Sequence, residues 1–469
     1  MKKSTIFKIH RYLSIVCLLP VVLWCVSGLT HPIMANWFRI TPAHRSAPAL
    51  KIDTTKIQLS LKQVASLNNI KEFSNVGVKT IDTKVCYVFL KENKQVFYSA
   101  STGDFIKDGA EKYATYLAKY YLGNTEANAV SVKVVSSFTD EYKVINRHLP
   151  VYKVRFNDAE KSDVFVHIAS GGLGTINNRL KRSYLWIFSN FHNWSFLGDN
   201  NTIKPFFIFT ISLSTFVVGV LGLYIYFGNR KKYKKRTKKA DKLKRRNVHR
   251  YISIPVSIFF LMFSFSGAYH AFQKFEKYDL NQYEPKEQFG LKDIETSIFK
   301  IQNSSKIQRL SLVKIKEQTY YRVQFLKQKT ATYFNSNSLE ILKKGDEIYA
   351  KERALAITGE KEVDIKETNF ITFFENKYGF INKRLPVYEI AFNDSENTSC
   401  FVQTSSGIPG SIVDKYKKRE ALSFIMLHKF HFLDFLGKGT RDIIIAFAIL
   451  SVLLILFSGL RVFIQIIKK

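Results

Sequence analysis

The chain has 469 residues, of which 46% are hydrophobic, too long for one compact domain and too apolar for a disordered one. Lys and Arg number 71 against 38 Asp and Glu, and the resulting net charge of +33 points to nucleic acid or to an anionic membrane surface. Four stretches near Leu13–Met34, Phe206–Phe227, Tyr251–Phe272 and Ile443–Ile467 lack Asp, Glu and Lys. Each is about the roughly 20 residues a bilayer requires, which excludes a soluble nucleic-acid-binding protein.

In chain order, residues 1–35 hold the first span, which lacks a small-residue cleavage site before His31-Pro32 and so reads as an anchor. Residues 36–185 form an outer α+β segment, with β-rich Tyr87–Leu90, a helical pattern over Ala110–Tyr121 and an alternating strand over Val151–Phe156. A central strand, Val164–Ile168, then meets a turn at Ser170-Gly171-Gly172. Residues 186–228 contain an aromatic interfacial segment and the second span. Residues 229–250 are strongly basic: Arg230–Arg250 holds 13 Lys or Arg in 21 positions, the positive-inside signal of a cytoplasmic loop that faces anionic lipid. Lys2, Lys3, Lys468 and Lys469 place both ends on the same side. The third span is 251–272; a second outer segment, 273–421, carries a strand near Tyr321–Phe325 and a helix near Glu347–Ile357. Residues 422–469 hold a second interfacial segment and the fourth span.

An internal repeat organises the whole. His10-Arg11-Tyr12 returns as His249-Arg250-Tyr251, Ser27-Gly28 as Ser266-Gly267, and His31 as His270, all at an offset of 239. Asn146 and Leu149-Pro150-Val151-Tyr152 return as Asn382 and Leu385-Pro386-Val387-Tyr388. Phe191-His192 with Phe196-Leu197-Gly198 matches Phe430-His431 with Phe435-Leu436-Gly437, again at 239. The expected fold is a membrane α+β protein of four transmembrane helices, in two span–domain–span repeats of like orientation. Of the four cysteines, Cys17 and Cys25 lie in a span and Cys86 and Cys400 at non-equivalent outer positions, and no CxxC occurs. Neither a disulfide framework nor covalent haem attachment is indicated.

Seven of the ten His cluster at the ends of the spans. Neutral imidazole ligates iron, and a low-spin haem takes two axial ligands, one from each face. A duplicated protein can supply one from each copy. His10 and His249 are the candidates on the cytoplasmic side; on the outer side the candidates are His192 with His431, and His31 with His270. His428 aligns with Ser189 at the same offset and has no counterpart. A repeated interfacial His is equally a simple anchor, and that bland reading is level with ligation for His31 and His270. From His10 to His31 is about 31 Å of helix rise.

These features resemble the PepSY-associated transmembrane family. The His10-Arg11-Tyr12 and Ser27-Gly28 motifs, their repeat, and the His192…Gly198 and His431…Gly437 segments carry the resemblance, and Leu149–Asn177 and Leu385–Ile412 are similar to PepSY units. The resemblance implies two periplasmic PepSY-like domains on a bacterial inner-membrane protein, with b-type haem, in two copies, held by the His named above. It implies reduction of ferric siderophores, with electrons from membrane quinol or a separate reductase. No Gly-rich dinucleotide loop follows a strand, so no flavin or nicotinamide site is expected in the chain, and no nucleic-acid partner. The alternative is a non-enzymatic PepSY membrane protein that binds or regulates a peptidase or envelope partner.

Overall fold

The computed structural model describes residues 3–50, 52–81, 83–92, 94–198, 202–234, 241–275, 279–374, 377–379 and 382–467. The terminal lysines at 2, 468 and 469 and the middle of the basic loop, 235–240, lie outside these, so that loop is described only at its helical flanks.

The chain divides into two compact units. The first comprises Met1–Arg39, Leu180–Tyr278 and Tyr416–Lys469. Its helices Lys3–Asn36, Ile203–Lys234, Asp241–Phe272 and Lys438–Ile467 are long and apolar enough to cross a membrane. They are apolar on all sides rather than along one stripe, as a lipid-facing helix must be. Each packs on the next in sequence and the fourth returns to the first, so the first and third spans stand across the bundle from each other. Cys17, Val21, Val218, Val256, Phe260, Ile449 and Val452 fill the centre. The spans begin earlier than the apolar stretches suggest, so that His10, His31, His249 and His270 all lie inside continuous helix.

The second unit joins Ile40–Arg179 with Asp279–Lys415. Each copy contributes a three-stranded and a four-stranded antiparallel sheet, in sequence order, with one helix between them. In the first copy that helix, Gly109–Leu122, buries Ala110, Tyr113, Ala114, Leu117, Ala118 and Tyr121, a stripe at the helical repeat, and stops at left-handed Gly123. Gly109 is required by close approach: a Cβ there would stand 2.6 Å from Phe97 Cβ, and Gly345 meets Tyr333 in the same way in the second copy.

The two outer segments, expected as separate domains, share a core. Strands Asn75–Ile81 and Ile307–Ile315 meet at their edges, where Leu312 N donates to Asn75 Oδ1 at 3.0 Å. Phe73 pairs with Phe289 in a short antiparallel bridge. Val76, Tyr87 and Phe89 from one copy and Leu310, Leu312 and Tyr321 from the other form one buried cluster. All four cysteines are buried thiols outside any disulfide.

Leu312→Ala opens a cavity at this shared seam and should cost about 2–5 kcal/mol in unfolding free energy. Leu67→Ala, at a side chain that is 63% exposed, should stay within about 0.5 kcal/mol. Denaturant unfolding of the two variants checks the difference.

Candidate functional site

The inner His pair is set by the two helices that each copy contributes. His10 on the first span lies against Gly222 of the second, where a Cβ would stand 3.3 Å from His10 Cε1. His249 on the third span lies against Gly459 of the fourth, with the corresponding distance 3.2 Å. These glycines give the rings room that any other residue would fill. His249 Nδ1 is 2.8 Å from Ser458 Oγ, and that hydroxyl donates to the Ile455 carbonyl at 2.9 Å. With its proton so used, Ser458 accepts from Nδ1–H, which leaves the Nε2 lone pair free. His10 Nδ1 is buried without a hydrogen bond of good geometry among the described residues, although the Val218 carbonyl is near enough to act on it.

The outer site is built on two π-helical turns, Phe188–His192 and Phe424–His428, which pack on the first and third spans. In each turn the Phe four residues before the His stacks on its ring, at 4.5 Å for Phe188 and 4.8 Å for Phe424. His192 Nδ1 is 3.2 Å from Ser27 Oγ and His428 Nδ1 is 3.3 Å from Ser266 Oγ, and the two serines are repeat equivalents. Ser27 donates its own proton to the Leu23 carbonyl at 2.6 Å, so it accepts from His192 and frees Nε2. Trp24 stacks on Trp194 at 5.4 Å and donates to the His192 carbonyl, while Phe263 stacks on Phe430 at 5.4 Å in the other copy. Burial lowers the pKa of His192 to about 4 and that of His428 to about 3, so both rings are neutral near pH 7.

His192 and His428 lie 6.3 Å apart, ring centre to ring centre, and nearly perpendicular. That spacing would let both imidazoles hold one metal-bearing group between them. The ring that stands beside His192 is thus that of His428 rather than the expected His431. His431 instead places Nδ1 2.9 Å from Asp434 Oδ2, at a half-buried position. The repeat offset through this segment is 236, as for Asn146 and Asn382, because the loop after the His is longer in the second copy: Ser195–Leu197 becomes His431–Leu436. The shared Phe-x-x-x-His pattern was the available signal. His270 bonds Glu420 and stacks on Phe424 at 4.7 Å, whereas His31 is exposed. The structure does not bring His31 and His270 together as it does His192 and His428.

The glycine cradle predicts a contrast within the bundle. Gly459→Val should displace the His249 ring and destabilise the solubilised protein by about 1–3 kcal/mol. Gly228→Ala, with nothing within 4 Å of its Cβ, should be neutral or stabilising by about 0.5–1 kcal/mol. Thermal melts in detergent distinguish them.

No curated protein matches the chain. A family model described as the PepSY-associated TM region matches residues 7–465, which takes in both copies of the repeat and every His of the two pairs. On that match, the chain belongs to the PepSY-associated transmembrane family.

Proposed function

We propose that this protein carries electrons across the bacterial inner membrane through two b-type haems and reduces a ferric chelate, such as a ferric siderophore, at the periplasmic face. The observation that carries the reading is the double His pair, His10 with His249 and His192 with His428, at two levels of one bundle. Among the described residues, no three His, Cys, Asp or Glu gather into a site for a bare metal ion. Haem would need only two His from the chain at each level, and these pairs would hold it. The residues fit it: free Nε2 lone pairs on His192 and His249, a buried His10 ring, and glycines that leave room for the His10 and His249 rings.

Haem, when bound, supplies one-electron chemistry. The chain's residues do the rest. Ser27 and Ser458 accept the Nδ1 protons and so would leave Nε2 to hold a bound haem. The stacked Trp24–Trp194 and Phe263–Phe430 pairs shield the outer His from water. The outer pair engages the first span at Ser27, about 25 Å of helix rise from His10 and one turn nearer to it than His31. The basic run between the second and third spans favours a cytoplasmic loop and periplasmic outer segments. Electrons then come from membrane quinol or a separate reductase. Hard oxygen chelators hold ferrous iron more weakly than ferric, so a single electron releases the metal.

Purified full-length protein should show a Soret band and a reduced-minus-oxidised b-type spectrum with two haems per chain. His10→Ala and His249→Ala should each remove the inner six-coordinate signal, and His192→Ala and His428→Ala the outer one. His431→Ala should leave both. Protein without a Soret band would sink the reading and leave the peptidase- or envelope-binding alternative. Reoxidation of the reduced protein by a ferric hydroxamate, followed with a ferrous trap, tests the substrate class.

Ser27→Ala should weaken retention of the outer haem by about 10–100-fold, the usual effect of losing a hydrogen bond behind a metal ligand. Transfer of haem to an apo-acceptor measures this, and an unchanged transfer rate rules the serine out as a positioning residue.

A further inference from the structure

The two copies of the outer unit bring their equivalent Leu-Pro loops face to face. Lys383 Nζ donates to Asn146 Oδ1 at 3.1 Å, and Arg384 Nη2 donates to the Arg147 carbonyl at 3.1 Å. Each loop is pinned from behind by an equivalent buried tyrosine: Tyr142 donates to the His148 carbonyl at 2.9 Å and Tyr378 to the Arg384 carbonyl at 3.0 Å. His148 stacks on His167 at 4.8 Å, and His167 Nδ1 lies 2.8 Å from Ser170 Oγ. Lys79 reaches the same turn, donating to the Ala169 carbonyl at 3.1 Å. Arg309, on the edge strand beside that of Lys79, is close enough to act on Lys79, His148 and His167.

The junction is short of negative charge. Arg384 is only 3% exposed and its Nε finds no acceptor among the described residues. Lys79, Arg309, Lys383 and Arg384 all have their pKa lowered, by burial first and then by one another or by Arg147 and Arg322. Glu284 acts on Arg384 from an exposed position, whereas Asp346 is taken up by Tyr333 and Arg322. A cluster of one buried and three half-buried cations with so little counter-charge is costly unless an anion completes it. Arg presents a planar fork that carboxylate and phosphate oxygens match, and the two imidazoles add donors once an anion raises their proton affinity.

We propose that the junction of the two outer copies, around Arg384, Lys79, Arg309 and the His148–His167 stack, is a binding site for a soluble multivalent oxyanion that presents carboxylate or phosphate oxygens. The site does not rest on the electron-transfer reading and is tested without haem. Solubilised full-length protein is titrated with citrate and, separately, with inorganic phosphate at constant ionic strength, with chloride as the control, by calorimetry. At least one oxyanion should bind saturably near one equivalent per chain. Lys79→Gln and Arg384→Gln should each weaken it at least tenfold. Arg384 also holds its neighbour's loop, so Lys79→Gln carries the test if Arg384→Gln misfolds; the Lys79 variant should melt no lower than the parent in anion-free buffer. The proposal is overturned if neither oxyanion binds saturably, or if Lys79→Gln binds as tightly as the parent. Protection from melting by phosphatidylglycerol micelles alone, with no binding of the free anions, would assign the site to lipid headgroups and equally overturn it.

Discussion

Mutual burial of the two repeats is the constraint from which the rest follows. Each outer copy packs a core of its own under its helix, but the three-stranded sheets close only on each other: Tyr87 and Phe89 of one are covered by Leu310, Leu312 and Tyr321 of the other. The contact is made at strand edges, where Asn75 caps the backbone of Leu312 with both its amide donor and its acceptor. An edge strand left bare is an aggregation hazard, and duplication supplies the cover within one chain. In the other unit, the centre of the bundle likewise draws Cys17, Val218, Phe260 and Val452 from four different spans.

Duplication also explains why the candidate site consists of pairs. Where the copies face each other in the bundle, a side chain of one meets its equivalent in the other. His192 meets His428, and each is held by the same serine of its own copy. Symmetry is then broken where chemistry differs. His148 and His167 of the first copy become Arg384 and Gln403 in the second, and Trp24–Trp194 becomes Phe263–Phe430. The outer junction gains fixed positive charge from the first change. The second confines the stacked indole pair to one copy.

The serine contacts decide more than position. An imidazole with both nitrogens free can present either; one whose Nδ1–H is donated to a hydroxyl already spent on a carbonyl presents only Nε2. Ser27 and Ser458 both donate within their own helices, to Leu23 and Ile455. The helix backbone therefore sets the tautomer through these hydroxyls and through the Trp24 and Ile455 carbonyls, which act on the same rings. The same logic makes Ser27-Gly28 a structural unit, with a hydroxyl to orient the His192 ring and a small neighbour beside it; in the repeat Ser266 contacts His428 while Gly267 faces Ser212.

Sequence alone determined the four spans, the duplication and the placement of His at the ends of the spans, because apolar length and exact motif repetition survive without any knowledge of packing. It also located the principal outer strands and helices, such as Val151–Phe156 and Ala110–Tyr121, whose periodicity is local. The partner of His192 was decided only by tertiary structure. Short aromatic identities around His431 pulled the alignment by three residues, whereas the π-turn geometry and the Ser266 contact select His428. The fusion of the two outer segments was likewise invisible, since Asn75 and Leu312 stand far apart in the chain and nothing local in either strand records the edge it will meet. Arg384 reads in sequence as one more basic residue of a strongly basic chain. Burial to 3% exposure against an equivalent loop is a property of the fold, and burial is what turns that charge into a demand for an anion.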